Sequence, residues 1–362
     1  MEYKKNYHDQ IFQSAPVFSD DYLNEILHLT SDNTIQSKII LEDKATDTAR
    51  IIKLLISWKD SSEKFYSKKL FLKMPIIGAK ANAFDKWSKH EIEFYRNVNE
   101  NDELPIIKCQ DAFISDDKKN FLLILDDISD DYCSANDINH NEIGYWLNAA
   151  ESLAKFHSFF WNGANASKLK RLQGDDKTID DKIKNYQNAL DKFLIYASEF
   201  YNNDIFDVYP LALADTIMFE SKNLNRRVQN KNISVIHGDS HIWNFMFPKS
   251  SYQRPLLTDY QFWRMGITTV DIMNLTRVSF PYRDDPEYHL KVLKYYHESL
   301  LKYGIKDYSM DECLEDYLLS VAMAVFGPVL NYYDFELGHE YWGQGVYDTI
   351  NNYKTVRKLL CC

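Results

Sequence analysis

Residues 235–247 read VIHGDSHIWNFMF and set two histidines, an aspartate and an asparagine within eight positions, where the apolar run ISVI at 233–236 ends. That run has the pattern of a short buried strand. HGDSHIWN follows as a loop in which Gly238 opens backbone geometry that other residues resist. Beyond it, FMF at 245–247, the turn-rich PKSSYQR and the second apolar run in PLLTDY read as a β-hairpin. Asn244 stands just before the first of these strands and Asp259 near the end of the second, so antiparallel pairing would bring their oxygens to one end of the hairpin. An amide carbonyl and a carboxylate are hard donors of the kind Mg2+ accepts when phosphates and water complete its octahedron. Asp239, on the loop entering the hairpin, would orient a hydroxyl beside that metal. In order, the three residues spell a phosphoryl-transfer loop, with Asp239 as the catalytic group and Asn244 and Asp259 as the metal ligands. His237 and His241 are read as hydrogen-bonding supports of the loop, since no His/Cys grouping with zinc spacing accompanies them.

A nucleotide site of this type needs a lysine on a strand and a glutamate on the next helix, because their ion pair positions the α- and β-phosphates. KLFLKMP at 69–75 puts Lys73 inside an apolar strand, where an unpaired ammonium would be costly. In FDKWSKHEIEFYRNV at 84–98, Trp87, Glu91, Phe94/Tyr95 and Val98 share one helical face, so Glu91 interrupts an inward apolar stripe and is the partner expected for Lys73. Before Gly144 the sole glycine is Gly78, which excludes G-x-G-x-x-G and G-x-x-x-x-G-K patterns from this part of the chain. Phosphate cover would fall to EDKATDTA at 42–49, through backbone N–H groups and the hydroxyls of Thr46 and Thr48. LILDDI at 123–128 would meet adenine through the carbonyl of Asp126 and the N–H of Ile128.

HGDSHIWNFMF followed by LTDYQFWRMGITTVDIMNL at 257–275 resembles the aminoglycoside phosphotransferase and choline kinase superfamily, and within it the ecdysteroid kinase-like branch, with its similar HGD…N…F loop and a D-[FY]-Q segment. LAKFHSFFW at 153–161 and LLILDDIS at 122–129 look like helix and hinge segments of that branch, so the resemblance spans roughly residues 35 to 345. It implies a protein-kinase-like fold, ATP and Mg2+ as cofactors, Asp239 as catalytic base, Asn244 and Asp259 as metal ligands, and Asp271 as a buried brace for the catalytic loop.

The wider sequence agrees with that class. Strand patterns and one helix fill the first part, and helical spacing dominates from Glu142, as in EIGYWLNAAESLAKFHSFFW, where Ile143, Leu147, Ala150, Leu153/Ala154, His157 and Phe160/Trp161 recur. The expected architecture is therefore α+β and two-lobed: a small sheet-rich N-terminal nucleotide-binding lobe over 1–124, a hinge at 125–129 and a helical C-terminal lobe over 130–362 that holds the catalytic loop and the acceptor pocket. Helices within 163–230 and the aromatic-rich NYYDFELGHEYWGQGVYDTI at 331–350 are expected to wall that pocket.

A net charge of −11 argues against a nucleic-acid partner. MEYKKNYHDQIFQS lacks the apolar core of a secretory signal, the longest apolar run is too short to span a bilayer, and five cysteines without framework spacing suit a reducing compartment; a cytoplasmic location is expected. Residues 101–150 hold eleven acidic residues against three lysines, a net −8. This bias is either a solvated acidic face or a rim that attracts a cationic acceptor. The reading with most support is an ATP- and Mg2+-dependent kinase acting on a hydroxyl of a small molecule. Its alternative is a nucleotide- or ligand-binding pseudokinase without turnover, motivated by the missing glycines.

Overall fold

The computed structural model describes residues 18–46, 49–75, 83–98, 103–115, 120–166, 169, 179–201, 206–228, 231–250, 254–330 and 339–361. Thr48 and the first part of the 331–350 stretch lie outside them. The chain forms two compact units. One comprises Met1–Cys133, Lys168–Lys170 and Pro248–Phe262; the other comprises Ser134–Ser167, Arg171–Phe247 and Trp263–Cys362. The first unit thus takes in a stretch, Pro248–Phe262, that a linear division at 125–129 assigns to the helices.

The first unit is built on β-branched and aromatic strand sequence. Helix α1 (Asp20–Ile26) is capped by Ser19, whose hydroxyl accepts the N–H of Tyr22, and carries Asp20 and Asp21 in its first turn, where the helix dipole favours them. Strands β1 (Thr34–Ala45), β2 (Arg50–Lys59) and β3 (Phe65–Met74) precede helix α2 (Ala83–Val98), which is followed by β4 (Cys109–Ile114) and β5 (Phe121–Asp126). They make one antiparallel sheet in the order β1-β2-β3-β5-β4. Strand alternation splits the sheet into two faces. Ile52, Leu54, Ile56, Leu70, Leu72, Met74, Leu122 and Ile124 pack with Phe18, Tyr22, Leu23 and Ile26 around α1. The register Ile51–Lys73–Leu123 runs across the other face. Sequence patterns give strands and α2 in this unit but no sign of α1, whose seven residues, about two turns, are stabilised by what they cover rather than by their own propensity.

The second unit is mostly helical: α3 (Ile143–Phe159), α4 (Ile179–Ala197), α5 (Val208–Val228), α6 (Thr269–Arg277), α7 (Pro286–Lys302), α8 (Met310–Ala324) and α9 (His339–Val356), with the strand pair β6 (Ile233–Ile236) and β7 (Arg264–Ile267). On α3 the buried stripe is Trp146, Ala149, Ala150, Leu153, Ala154, Phe156 and His157, so it is centred beside the expected one, with Ile143 and Leu147 only half-buried. This wide, small-residue stripe lets α3 lie close against α7 and over β6. β7 sits equally close to β6: a Cβ on Gly266 would stand 2.8 Å from Ile236 Cδ1. The mixed α+β class and the antiparallel N-terminal sheet followed by a helical remainder are those expected of a kinase-like fold.

Candidate active site

In the first unit, the predicted pair forms. Lys73 Nζ lies 2.6 Å from Glu91 Oε2, with both side chains nearly closed to solvent. Glu91 sits on the inward face of α2 beside Ile92, Phe94, Tyr95 and Val98, as its spacing requires. Lys73 also donates to Asp259 Oδ1 at 3.1 Å. Burial pulls the Lys73 ammonium down, but the carboxylates of Glu91 and Asp259 outweigh it and hold the group above its ordinary value. Burial pushes the Glu91 carboxyl up; Lys73 opposes this, while Asp259 adds to it.

Asp259 reaches Lys73 through an unusual backbone, with φ at +64°, a left-handed conformation that aspartate tolerates better than most residues. The residue after it is the anchor. Tyr260 opens a short 3-10 turn over Tyr260–Phe262, donates its N–H to Glu91, and stacks on Phe94 with ring centroids 3.8 Å apart. One helix face thus holds both the lysine's first partner and the segment bearing its second.

Of the other nucleotide candidates, Thr46 has its hydroxyl engaged locally, while the side-chain bonds of Asp126 and the carbonyl bonds of Ile128 use groups other than the Asp126 carbonyl and Ile128 N–H expected to meet adenine. Thr46 spends its hydroxyl on the turn between β1 and β2, donating to the Ala49 carbonyl at 2.9 Å and accepting the Ala49 N–H at 3.1 Å. Asp126 accepts Gln110 Nε2 at 2.7 Å and lies 2.9 Å from Lys68 Nζ. The carbonyl of Ile128 accepts the N–H groups of Asp131 and Tyr132. Across the acidic stretch, Lys69 clamps both oxygens of Asp130 at 2.6 and 2.8 Å, Tyr22 donates to Asp111, and Ser134 to Asp137. These carboxylates serve as caps and pairs, which fits a solvated acidic face better than a rim held open for a cation.

In the second unit, the loop expected to be catalytic, residues 237–244, is held by Asp271. Its Oδ2 accepts the His237 N–H at 2.7 Å and its Oδ1 the Gly238 N–H at 2.8 Å, while Ser240 donates to its backbone carbonyl. Asn274, one turn along α6, donates to the Gly238 carbonyl. Gly238 adopts φ +84°, the conformation that lets two successive N–H groups face one carboxylate. His157 of α3 completes the brace: Nε2 meets Asp271 Oδ2 at 2.9 Å and Nδ1 meets the Tyr296 hydroxyl at 2.8 Å. Burial pushes the Asp271 carboxyl up, but the bond to His157 and the charges of His157 and His237 outweigh it and hold it below its ordinary value. Sequence periodicity marks His157 as an inward position without naming this partner.

Asp239 itself remains half-buried, with Oδ2 3.4 Å from His241 Nε2. Burial raises its pKa, yet the His241 bond and the charges of His241, His237 and Arg277 bring it below the usual value, so it is a carboxylate at neutral pH. Asn244 is pinned by Nδ2, which donates to the Asp239 carbonyl at 2.7 Å. Its Oδ1 takes no hydrogen bond among the described residues. Among the described residues Asp259 bonds through Oδ1, to Lys73. Asn244 and Asp259 fall in different units. Among the described residues no cluster of three or more His, Cys, Asp or Glu side chains could hold a metal by itself. A Mg2+ carried on nucleotide phosphates asks for only one or two protein oxygens, and these two are of the right chemistry.

Residues 45–307 match the ecdysteroid kinase-like family. The chain belongs to that family. No curated protein matches it by sequence. Its fold is that of small-molecule kinases of known structure. A microcompartment-associated aminopropanol kinase superposes with TM-score 0.53 at 9% identity, covering 90% of this chain and 93% of that one. Aminoglycoside 2'-phosphotransferase-IIIa, solved with GDP, superposes with TM-score 0.51 at 12% identity, covering 92% and 98%. A Plasmodium vivax ethanolamine kinase matches at 15% identity over 96% and 90%, with TM-score 0.49. The ecdysteroid kinase-like family is a family of kinase-like phosphotransferases, and among the described residues of this member no helix is long and apolar enough to cross a membrane.

Proposed function

We propose that this family member transfers the γ-phosphoryl group of ATP, with Mg2+, to a hydroxyl of a small molecule. The observation that carries the reading is Lys73, a buried ammonium bonded to Glu91 and to Asp259, an arrangement that core packing alone would not select. Lys73 holds the α- and β-phosphates, and Glu91 fixes the lysine. Asn244 Oδ1 and the Asp259 carboxylate would hold Mg2+, which when bound neutralises charge on the phosphates. Asp239 orients the acceptor hydroxyl and takes its proton as the oxygen attacks phosphorus and the bond to the ADP oxygen breaks. Its lowered pKa keeps it unprotonated and ready for that step. The loop brace from Asp271 and His157 keeps the carboxylate in place between turnovers.

The second reading is a nucleotide- or ligand-binding protein without turnover, motivated by the lack of a glycine-rich phosphate loop before Gly144; the engaged Thr46 hydroxyl removes one further candidate for phosphate cover. One experiment separates the two. The purified protein is expected to gain thermal stability with Mg2+-ATP and to consume ATP with some member of a panel of hydroxylated metabolites. Asp239→Asn is expected to keep the stabilisation and lose the turnover. Stabilisation without phosphoryl transfer to any acceptor would establish the binding protein, and equal turnover by Asp239→Asn would remove Asp239 from the mechanism.

A further inference from the structure

One cation of the second unit has no part in the reaction described so far. Arg277 ends α6, the helix that carries the loop brace, and Asp271, Asn274 and Arg277 follow one another at intervals of three along it. The first two rungs hold successive parts of the loop: Asp271 takes the N–H groups of His237 and Gly238, and Asn274 binds the Gly238 carbonyl. The third brings a guanidinium within electrostatic reach of the next residue, Asp239.

Part of that guanidinium is unserved. Its Nε is shut off from solvent and has no hydrogen-bond partner, while the residue as a whole is half-buried. Two carboxylates act on it at a distance, and neither bonds to it. Asp239 turns Oδ2 toward His241, and Asp348 is held by Arg283 Nη1 at 3.1 Å. Burial pulls the Arg277 pKa down, and the charges of Asp239 and Asp348 only partly oppose this. Across Asp239, His241 Nδ1 is also buried without a partner. Trp243 of the same loop is 42% exposed, and its Nε1 reaches Ser279 Oγ, two residues after Arg277, at 3.4 Å. A closed-off Nε–H normally finds an acceptor, and here none among the described residues supplies one, while the rest of the half-buried fork is left for an oxygen pair.

We propose that Arg277 anchors an oxyanion-binding site beside Asp239, taking a carboxylate or phosphate through the N–H groups of its two Nη nitrogens. An oxyanion is the ligand class because the guanidinium fork matches its two coplanar oxygens, whereas a cationic group would meet Arg277 with like charge. The oxyanion has two sources: an anionic substituent carried by the acceptor, or the phosphate ester formed on it. Only this assignment of the source rests on the proposed role of Asp239; the site itself is tested without turnover.

The probe is inorganic phosphate, titrated into the whole protein at constant ionic strength against chloride and followed by calorimetry and thermal unfolding. Saturable binding by the wild type is expected, weakened about tenfold or more in Arg277→Lys, which keeps the charge and loses the fork, and abolished in Arg277→Met. Asp239→Asn is expected to tighten phosphate binding several-fold by removing the neighbouring negative charge, a response that a purely structural Arg277 would not give. Absence of phosphate binding by the wild type, or equal binding by wild type and Arg277→Lys, overturns the proposal. If Arg277→Met does not fold, the Arg277→Lys and Asp239→Asn comparisons still decide. With an acceptor in hand the sources separate. For an anionic substituent, Arg277→Lys raises KM for the acid but not for its neutral amide; for the phosphate ester, it relieves product inhibition with every acceptor. Arg277-dependent phosphate binding by a protein inactive toward all acceptors would sink the kinase reading and leave the oxyanion site standing.

Discussion

Asp271 and His157 meet at 2.9 Å with neither side chain exposed, and the same carboxylate that takes the imidazole also takes two consecutive backbone N–H groups of the loop at 237–244. The loop is therefore held by a charge-assisted network, and among the described residues the carboxylate of its next residue, Asp239, meets only His241.

Removing that carboxylate leaves two N–H groups and an imidazole without their acceptor. Asp271→Ala is expected to cost about 3–5 kcal/mol in urea unfolding, and Asp271→Asn less, since the amide keeps one acceptor oxygen. Equal midpoints for wild type and Asp271→Ala would remove the brace from the account.

Lys73→Met strands Glu91 next to Asp259 with no counter-charge, and a loss of about 3–5 kcal/mol is expected. The double variant Lys73→Met/Glu91→Leu buries no lone charge and should be more stable than Lys73→Met, while neither gains stability from Mg2+-ATP. Chemical denaturation with and without nucleotide reads both effects, and a double variant no more stable than the single one would contradict a coupled pair.

His289 supplies a pH dependence. Its ring is fully buried between the Tyr317 hydroxyl, 2.9 Å from Nδ1, and the Arg283 carbonyl, 2.9 Å from Nε2. The carbonyl can only accept, so Nε2 carries a proton. Burial brings its pKa down to about 4. A depressed pKa makes the contribution complete above the unfolded value near 6.5 and erodes it as pH falls through 4, by about 3 kcal/mol in all. His289→Gln should flatten the fall in unfolding free energy between pH 7 and 4, and parallel curves for the two proteins would refute the assignment.

Asp130→Asn tests the acidic stretch. The Lys69–Asp130 pair is exposed and salt-screened, so the unfolding midpoint is expected to stay put, as is the salt dependence of acceptor KM. A KM that rises for a cationic acceptor at low salt alone would restore the steering rim.

How far the sequence carries is clearest residue by residue. Lys73 and Glu91 are legible because a charge inside an apolar period has few explanations, and Asp239, Asn244 and Asp259 because their order is chemical. Asp271 comes from family resemblance, since nothing in TTVDIMNL distinguishes a brace from a helix-start carboxylate. Arg277 passes unnoticed for a related reason: its meaning lies in the partners it lacks, and only coordinates reveal those. Its signal, Asp-x-x-Asn-x-x-Arg from Asp271, becomes readable once the first two rungs are known to hold the loop. The membership of Pro248–Phe262 in the first unit is equally invisible locally, because it is set by Tyr260 finding Phe94 and Leu257 donating its N–H to the Pro105 carbonyl.

That returning segment also dictates an order of assembly. Lys73 and its second carboxylate are 186 residues apart, so at 5–20 residues per second a ribosome needs about 10 to 40 s between making one and making the other. Through that interval the sheet of the first unit exists without the Tyr260 ring on Phe94 and without the Tyr260 N–H on Glu91. The nascent chain therefore carries an unfinished apolar face on α2 until its synthesis is well past the middle, and a fragment ending at Cys133 would keep that face open permanently, as a surface for chaperones to hold.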